Sequence, residues 1–190
     1  MRSGKKVAIT GGIGSGKSYV CRLLKDKGIS VYDCDSAAKR LMNENEPLRE
    51  ELKRLVGKDA YDDAGKLNKA AVARFLLKDE SNKHAINDLV HPAVAEDFTN
   101  SKGQWLESAI LFESGFYKRI KFDNVICVAA PLSVRIERIC KRDGISREQA
   151  MQWIDRQMKQ EEKIARSNFV IVNDGKEDLE RQINEILNKL

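Results

Sequence analysis

Apolar residues in this chain follow two periods. Short runs rich in β-branched residues predict strands at 6–10, 28–32, within 104–113, at 123–130 and at 168–172. Between them, apolar residues recur at helical spacing. Helices are expected from 19 to 27, where Gly28 is a stop, and from 36 to 56 with a break near Asn45-Glu46-Pro47. Others should start at Asn68 and Ser81, the latter running into Leu89-Val90 before His91-Pro92. Pro131 opens a further helix, Ser146 another, and 179–190 forms the last. The 57–65 stretch is rich in turn formers. Its Asp62 and Gly65 fit the D-x-x-G spacing of a GTPase switch, but no apolar strand precedes them, so it reads as a loop. Strands alternating with helices predict an α/β fold with a parallel sheet.

The junction of the first strand and first helix carries the chemistry. Gly11-Gly12-Ile13-Gly14-Ser15-Gly16-Lys17-Ser18 fits G-x-x-x-x-G-K-[ST], the P-loop, in the strand–loop–helix context that motif requires. Its glycines allow positive φ angles, so successive N–H groups can turn inward toward phosphate oxygens at a helix N-terminus. Lys17 should reach the β- and γ-phosphates of ATP, and the Ser18 hydroxyl should ligate Mg²⁺.

Strand ends supply the other candidates. The second strand ends in Asp33-Cys34-Asp35, and ligands of open α/β sheets gather at carboxyl ends of strands. In an extended tip both carboxylates share a face, and either could orient an attacking hydroxyl. Asp35 is favoured for this, although it also suits a helix N-cap. The third strand is expected to end at Glu113; Glu107 and Glu113 are candidates for an outer contact to Mg²⁺. The helices after Pro131 carry Arg135, Arg138, Arg142, Arg147 and Arg156. Arg138 and Arg142 share a face and match a lid that closes over phosphates, whereas Arg135 and Arg147 read as a solvated charged face. His91 is either a helix-end residue that packs or caps, or a substrate contact. The Asn173-Asp174-Gly175 turn could present backbone groups to a purine.

Composition narrows the classes. The chain is 42% hydrophobic and 33% charged with net charge +5. Its basic residues are scattered, with no basic tail and no basic–aromatic platform, so nucleic acid is not an expected partner. The segment from Met1 reads as no signal peptide, and no run approaches the ~20 apolar residues of a membrane span. No membrane partner and a cytoplasmic location are expected. Four cysteines, at 21, 34, 127 and 140, form no C-x-x-C pair and read as reduced thiols. A regulatory GTPase would need N/T-K-x-D, which Asn68-Lys69-Ala70-Ala71 and Asn82-Lys83-His84-Ala85 both lack. A silent nucleotide-binding module would be expected to lose Lys17 or the strand-tip aspartates.

Together these motifs resemble the dephospho-coenzyme A kinase family. The resemblance rests on Thr10 through Ser18, Asp33-Cys34-Asp35, Gly65-Lys66-Leu67-Asn68 and His91-Pro92. It continues with Leu111-Phe112-Glu113, the Arg138/Arg142 pair, Arg156-Gln157 and Asn173-Asp174-Gly175. It implies a three-layer P-loop kinase fold: a five-stranded parallel sheet with helices on both faces, a core at about 1–58 and 104–190, a CoA-binding helical insertion at about 59–103, and an arginine-rich lid at about 138–160. It implies transfer of the ATP γ-phosphoryl to the ribose 3′-hydroxyl of dephospho-CoA; separately, a monomer is expected. Asp35, Lys17, Arg142 and Asp33 would be catalytic. Gly12, Ile13, Gly14, Ser15, Gly16, Lys17, Ser18, Tyr19, Arg142, Asn173 and Gly175 would bind nucleotide. Thr10, Asp33, Asp35, His91 and Arg138 would meet the acceptor, and Ser18 the metal. Lys39 and Arg40 stand near a family arginine, and Ala109-Ile110 replace a common Pro-Leu. Another small-molecule kinase, for a nucleoside or its monophosphate, shares every local argument.

Overall fold

A computed structural model describes residues 4–190; the leader-peptide reading at Met1–Ser3 lies outside them. The chain divides into two compact units, one reaching Tyr32 and resuming at Gly103, the other spanning Asp33–Lys102.

The first unit is built on a five-stranded parallel sheet in the order β2-β3-β1-β4-β5. Its strands are β1 (Val7–Thr10), β2 (Val31–Asp33), β3 (Trp105–Glu107), β4 (Asn124–Ala129) and β5 (Phe169–Val172). β1 lies at the centre, Ala8 registered against Leu106 on one side and Val125 on the other. Alternation along the strands divides the core. Val7, Ile9, Ile126, Val128 and Ile171 pack with Val20 and Leu24 of α1 (Lys17–Asp26) and with Ile183 and Ile186 of α9 (Leu179–Leu187). The opposite side of the sheet buries Ala8, Leu106 and Cys127 and receives α8 (Gln160–Ala165). β3 is shorter than the apolar pattern suggests. Residues 109–114 form turns in which Leu111 and Phe112 are buried, so apolarity there marks a packed corner. Glu107, not Glu113, therefore ends the strand.

The second unit holds α2 (Cys34–Glu44), α3 (Glu46–Val56), α4 (Lys69–Lys78) and α5 (Glu80–Asn100). Asn45 ends α2 and caps α3 through Leu48 N–H at 3.0 Å, and Asn68 caps α4. The 61–67 segment is a loop closed by a Tyr61–Leu67 bridge, as its turn residues imply. α2 and α3 pack on α5, so the compact unit begins at Asp33 and not near residue 59. α5 also continues through His91-Pro92, where a helix end was expected. Pro92 removes only one backbone donor, and Val90, Val94 and Phe98 keep the helix packed on both sides of it. His91 is thus mid-helix and half-buried.

All four cysteines are free thiols. Burial pushes the Cys127 thiol up to about 11, against the pull of nearby Lys163, Arg135 and Lys17. At pH 8 only about a thousandth would be thiolate. A disulfide-exchange reagent should therefore leave Cys127 unmodified in the folded chain while reaching the partly exposed Cys21 and Cys140. Peptide mapping that found all three labelled at equal rates would contradict this packing.

Candidate phosphate-binding active site

The loop between β1 and α1 has the backbone its glycines allow. Gly11, Gly14 and Gly16 take φ of 151°, 78° and 88°. Gly12 is not in that region. It is small because a Cβ there would lie 2.4 Å from the Arg135 guanidinium. The amides of Gly14, Gly16, Lys17 and Ser18 find no acceptor among the described residues. That makes a cluster of donors at the positive end of α1, the arrangement an anion needs. The Ser15 N–H instead closes a turn onto Gly12 O at 3.1 Å.

The outward carbonyls are held by α6 (Leu132–Asp143) and by the end of β5. Arg135 Nε donates to Ile13 O at 2.9 Å. Arg138 Nη1 lies 3.4 Å from both Gly14 O and Ser15 O, and Asn173 Nδ2 donates to Ser15 O at 2.9 Å. Ile13 N–H reaches Gln157 Oε1 at 2.8 Å, just beyond α7 (Arg147–Asp155). The Ile13 side chain packs with Ile136, Ile139, Ala150 and Ile154 of α6 and α7. The loop is thereby fastened to the arginine-bearing helices. Ile13, expected to bind nucleotide, has both backbone groups and its side chain engaged within the protein.

Lys17 Nζ lies 3.2 Å from Glu107, both side chains nearly buried. An ion pair so enclosed fixes direction more than it adds stability. A second pair lies in the same unit. Lys163, fully buried, contacts Glu113 Oε1 at 2.5 Å and donates to Ala109 O at 2.7 Å; Glu113 also accepts from Met158 N–H at 3.2 Å. Burial pushes the Lys163 ammonium down, and Glu113 works against that. Glu113 is thus a partner of α8 and of the segment after α7.

Several expectations about α6 change. Arg135 is only 5% exposed, and no carboxylate lies within ion-pair distance among the described residues, so it is not a solvated surface charge. Burial lowers its pKa. Its sequence signal is position: four residues before the buried Ile139, it lies on the helix's apolar stripe. Arg142, by contrast, is exposed and bonded to Asp143 at 2.7–3.1 Å. Pro131 stands at the N-cap of α6, one place before the first turn.

Other candidates have definite places. Thr10 is fully buried at the end of β1, its Oγ1 without a partner, as is the Ser15 Oγ. Ser18 and Tyr19 are exposed on the first turn of α1, with Arg22 over the Tyr19 ring at 5.4 Å. Gly175 turns at φ 86°. In the second unit, Asp33 and not Asp35 is the N-cap of α2, accepting from Ser36 N–H at 3.0 Å and Ser36 Oγ–H at 2.9 Å. Asp35 lies in the helix's first turn, exposed. The two carboxylates therefore do not share an extended face, because the chain turns helical at Cys34. Arg40 pairs with Asp97 at 2.6 Å, and Lys39 is exposed.

The family model described as Dephospho-CoA kinase matches residues 5–178. This chain belongs to the dephospho-CoA kinase family. A dephospho-CoA kinase of Bacteroides fragilis is 42% identical over 96% of this chain and 91% of its own. One from Thermus thermophilus is 38% identical, covering 97% and 91%. A crystal structure of a Thermus thermophilus protein superposes with a TM-score of 0.82 at 37% identity, covering 98% of this chain and 97% of that one. Shikimate kinase from Bacteroides thetaiotaomicron, 14% identical with a TM-score of 0.58 over 98% and 99%, shares the fold. The chain is accordingly a P-loop kinase.

Gly14→Ala should abolish tight nucleotide binding. Its Cβ would sit 2.7 Å from the Arg135 carbonyl oxygen at a left-handed φ. Gly28→Ala is the control, with φ 81° but nothing within 4 Å of the added Cβ. It should cost about 1 kcal/mol of stability and leave binding intact. Nucleotide titrations and melting curves of the two variants check both expectations; equal binding losses would contradict them.

Proposed function

We propose that this chain transfers the γ-phosphoryl of ATP to the ribose 3′-hydroxyl of dephospho-CoA, giving coenzyme A and ADP. The observation that supports it most is the cluster of four acceptor-free amides beside a Lys17 already fixed in direction by Glu107. The relatives' shared name supplies the acceptor.

In this reading Gly14, Gly16, Lys17 and Ser18 N–H groups and the Lys17 ammonium bind the ATP phosphates, with Gly12 giving the chain room to approach. Tyr19 and the Asn173–Gly175 turn flank the nucleotide. The donor chemistry near the loop suits Mg²⁺. The Ser18 hydroxyl is exposed and unbonded among the described residues, and Glu107 offers a hard oxygen. Among the described residues no group of three or more His, Cys, Asp or Glu side chains is placed to hold a metal ion. Bound Mg²⁺ would neutralise charge building on the β- and γ-oxygens.

Asp35 orients the ribose hydroxyl and takes its proton as the new O–P bond forms and the bond to ADP breaks. Asp33 is the poorer base, because its carboxylate caps α2 and is committed to Ser36. It positions Asp35 instead. Arg142 exchanges Asp143 for a phosphate oxygen, and Arg138 adds positive charge behind the loop. The second unit, with His91 and the 59–103 segment, binds the acceptor. No helix among the described residues is long and apolar enough to cross a membrane. The enzyme works as a monomer in the cytoplasm, without nucleic acid.

The test is ADP release with Mg-ATP against dephospho-CoA, adenosine, AMP, CMP and buffer. Turnover confined to dephospho-CoA, with a 3′-phosphorylated product, is expected; turnover with a nucleotide instead would overturn the acceptor. Asp35→Asn should lower kcat at least 100-fold, within the range for losing a general base. KM for ATP should hardly change. A matching loss in ATP affinity would remove Asp35 from that role.

A further inference from the structure

We propose that Asn173 and Arg138 are positioning residues that hold the phosphate loop from behind, and that neither reads the nucleotide base. Asn173 is only 6% exposed. Each of its polar atoms is already engaged. Its N–H donates to Ala129 O at 2.8 Å, and its backbone oxygen accepts from Arg138 Nη1 at 3.0 Å. Its Oδ1 accepts from Arg138 Nη2 at 3.2 Å, and its Nδ2 donates to Ser15 O at 2.9 Å. One Nδ2–H and one lone pair of each oxygen are thus committed to the protein, and at this exposure little of the residue is open to an adenine edge.

The bonds have a direction that matters. In a trans peptide the carbonyl of one residue and the N–H of the next point opposite ways. Holding Ser15 O outward therefore turns the Gly16 N–H inward, and Gly16 is one of the loop amides with no acceptor among the described residues. Arg138 Nη1, lying between Gly14 O, Ser15 O and Asn173 O, holds the loop and the Asn173 turn together. A second observation agrees. A Cβ on Gly16 would meet Asn173 Nδ2 at 2.1 Å, so glycine here serves the close approach of the amide as well as the φ of 88°. The buried Arg135 and half-buried Arg138 guanidinium groups behind the outward carbonyls also raise the positive potential on the amide side, where the anion binds. This role rests on the phosphate-binding reading of the loop.

The experiment compares binding of ATP, GTP and inorganic pyrophosphate by calorimetry for the wild-type chain, Asn173→Ala and Asn173→Asp. The aspartate keeps a partner for Arg138 but cannot donate to Ser15 O, and its melting curve checks that the chain still folds. Both variants should lose about tenfold in affinity for all three ligands, the effect of removing one enclosed hydrogen bond from the Ser15 carbonyl. Their preference for ATP over GTP should stay unchanged. Arg138→Lys, retaining a cationic donor group, should lose less than either. A loss confined to ATP would make Asn173 a base contact and overturn the proposal. So would unchanged affinity for all three ligands in a folded Asn173→Asp. A wild-type chain that bound none of the three would instead remove the phosphate reading of the loop, and this role with it.

Discussion

Ile13 and Ser15 must turn their carbonyls away from the place where phosphate is held, because only then do the Gly14 and Gly16 N–H groups face it. An isolated loop of this composition would sample many arrangements, since glycine carries the largest backbone freedom to be lost on folding. Here the outward carbonyls are met by Arg135, Arg138 and Asn173, and the Ile13 N–H by Gln157. Order is thus supplied from outside the loop, by residues of α6, the end of β5 and the segment after α7. The amides are oriented before any ligand is engaged, which is how fixed dipoles become effective toward developing charge.

The same constraint accounts for unusual burial elsewhere in the first unit. Arg135 and Lys163 sit deep in the protein, where an unpaired charge is costly. Arg135 meets a loop carbonyl, while Lys163 finds Glu113 and Ala109 O. The Lys163–Glu113 pair in turn holds the Met158 N–H, one residue beyond Gln157. Gln160 Oε1 accepts from Ala130 N–H at 3.0 Å, at the end of β4. The stretch after α7 is therefore pinned at the loop, at the turn after β3 and at the end of β4. Helices that carry the arginines are tied to the loop that carries the amides.

Much of this was legible in the residues. Alternating strand and helix periods gave the parallel sheet, and the glycine motif located the loop on the central strand. The misreadings have physical causes. The apolar run through Leu111 and Phe112 packs a corner, and periodicity alone cannot separate that from a strand. The pattern ends a helix near His91-Pro92, yet packing around Val90 and Val94 carries α5 through it. Asp33 took the cap that Asp35 also suited, a difference of one helical start. Arg135 shows that a charge on an apolar stripe signals a buried partner, here a backbone carbonyl. The roles of Gln157 and Asn173 depend on contacts across 144 and 158 residues, and no local pattern encodes them.

The most direct measurement follows the backbone amide resonances of the chain as inorganic pyrophosphate is added. If the loop is held ready from behind, the large shifts fall on Gly14, Gly16, Lys17 and Ser18, and the Ile13 amide keeps its slow exchange with solvent. If those four signals stay in place, or if Ile13 loses protection and the loop rearranges as a whole on binding, the account of a cup oriented in advance is wrong.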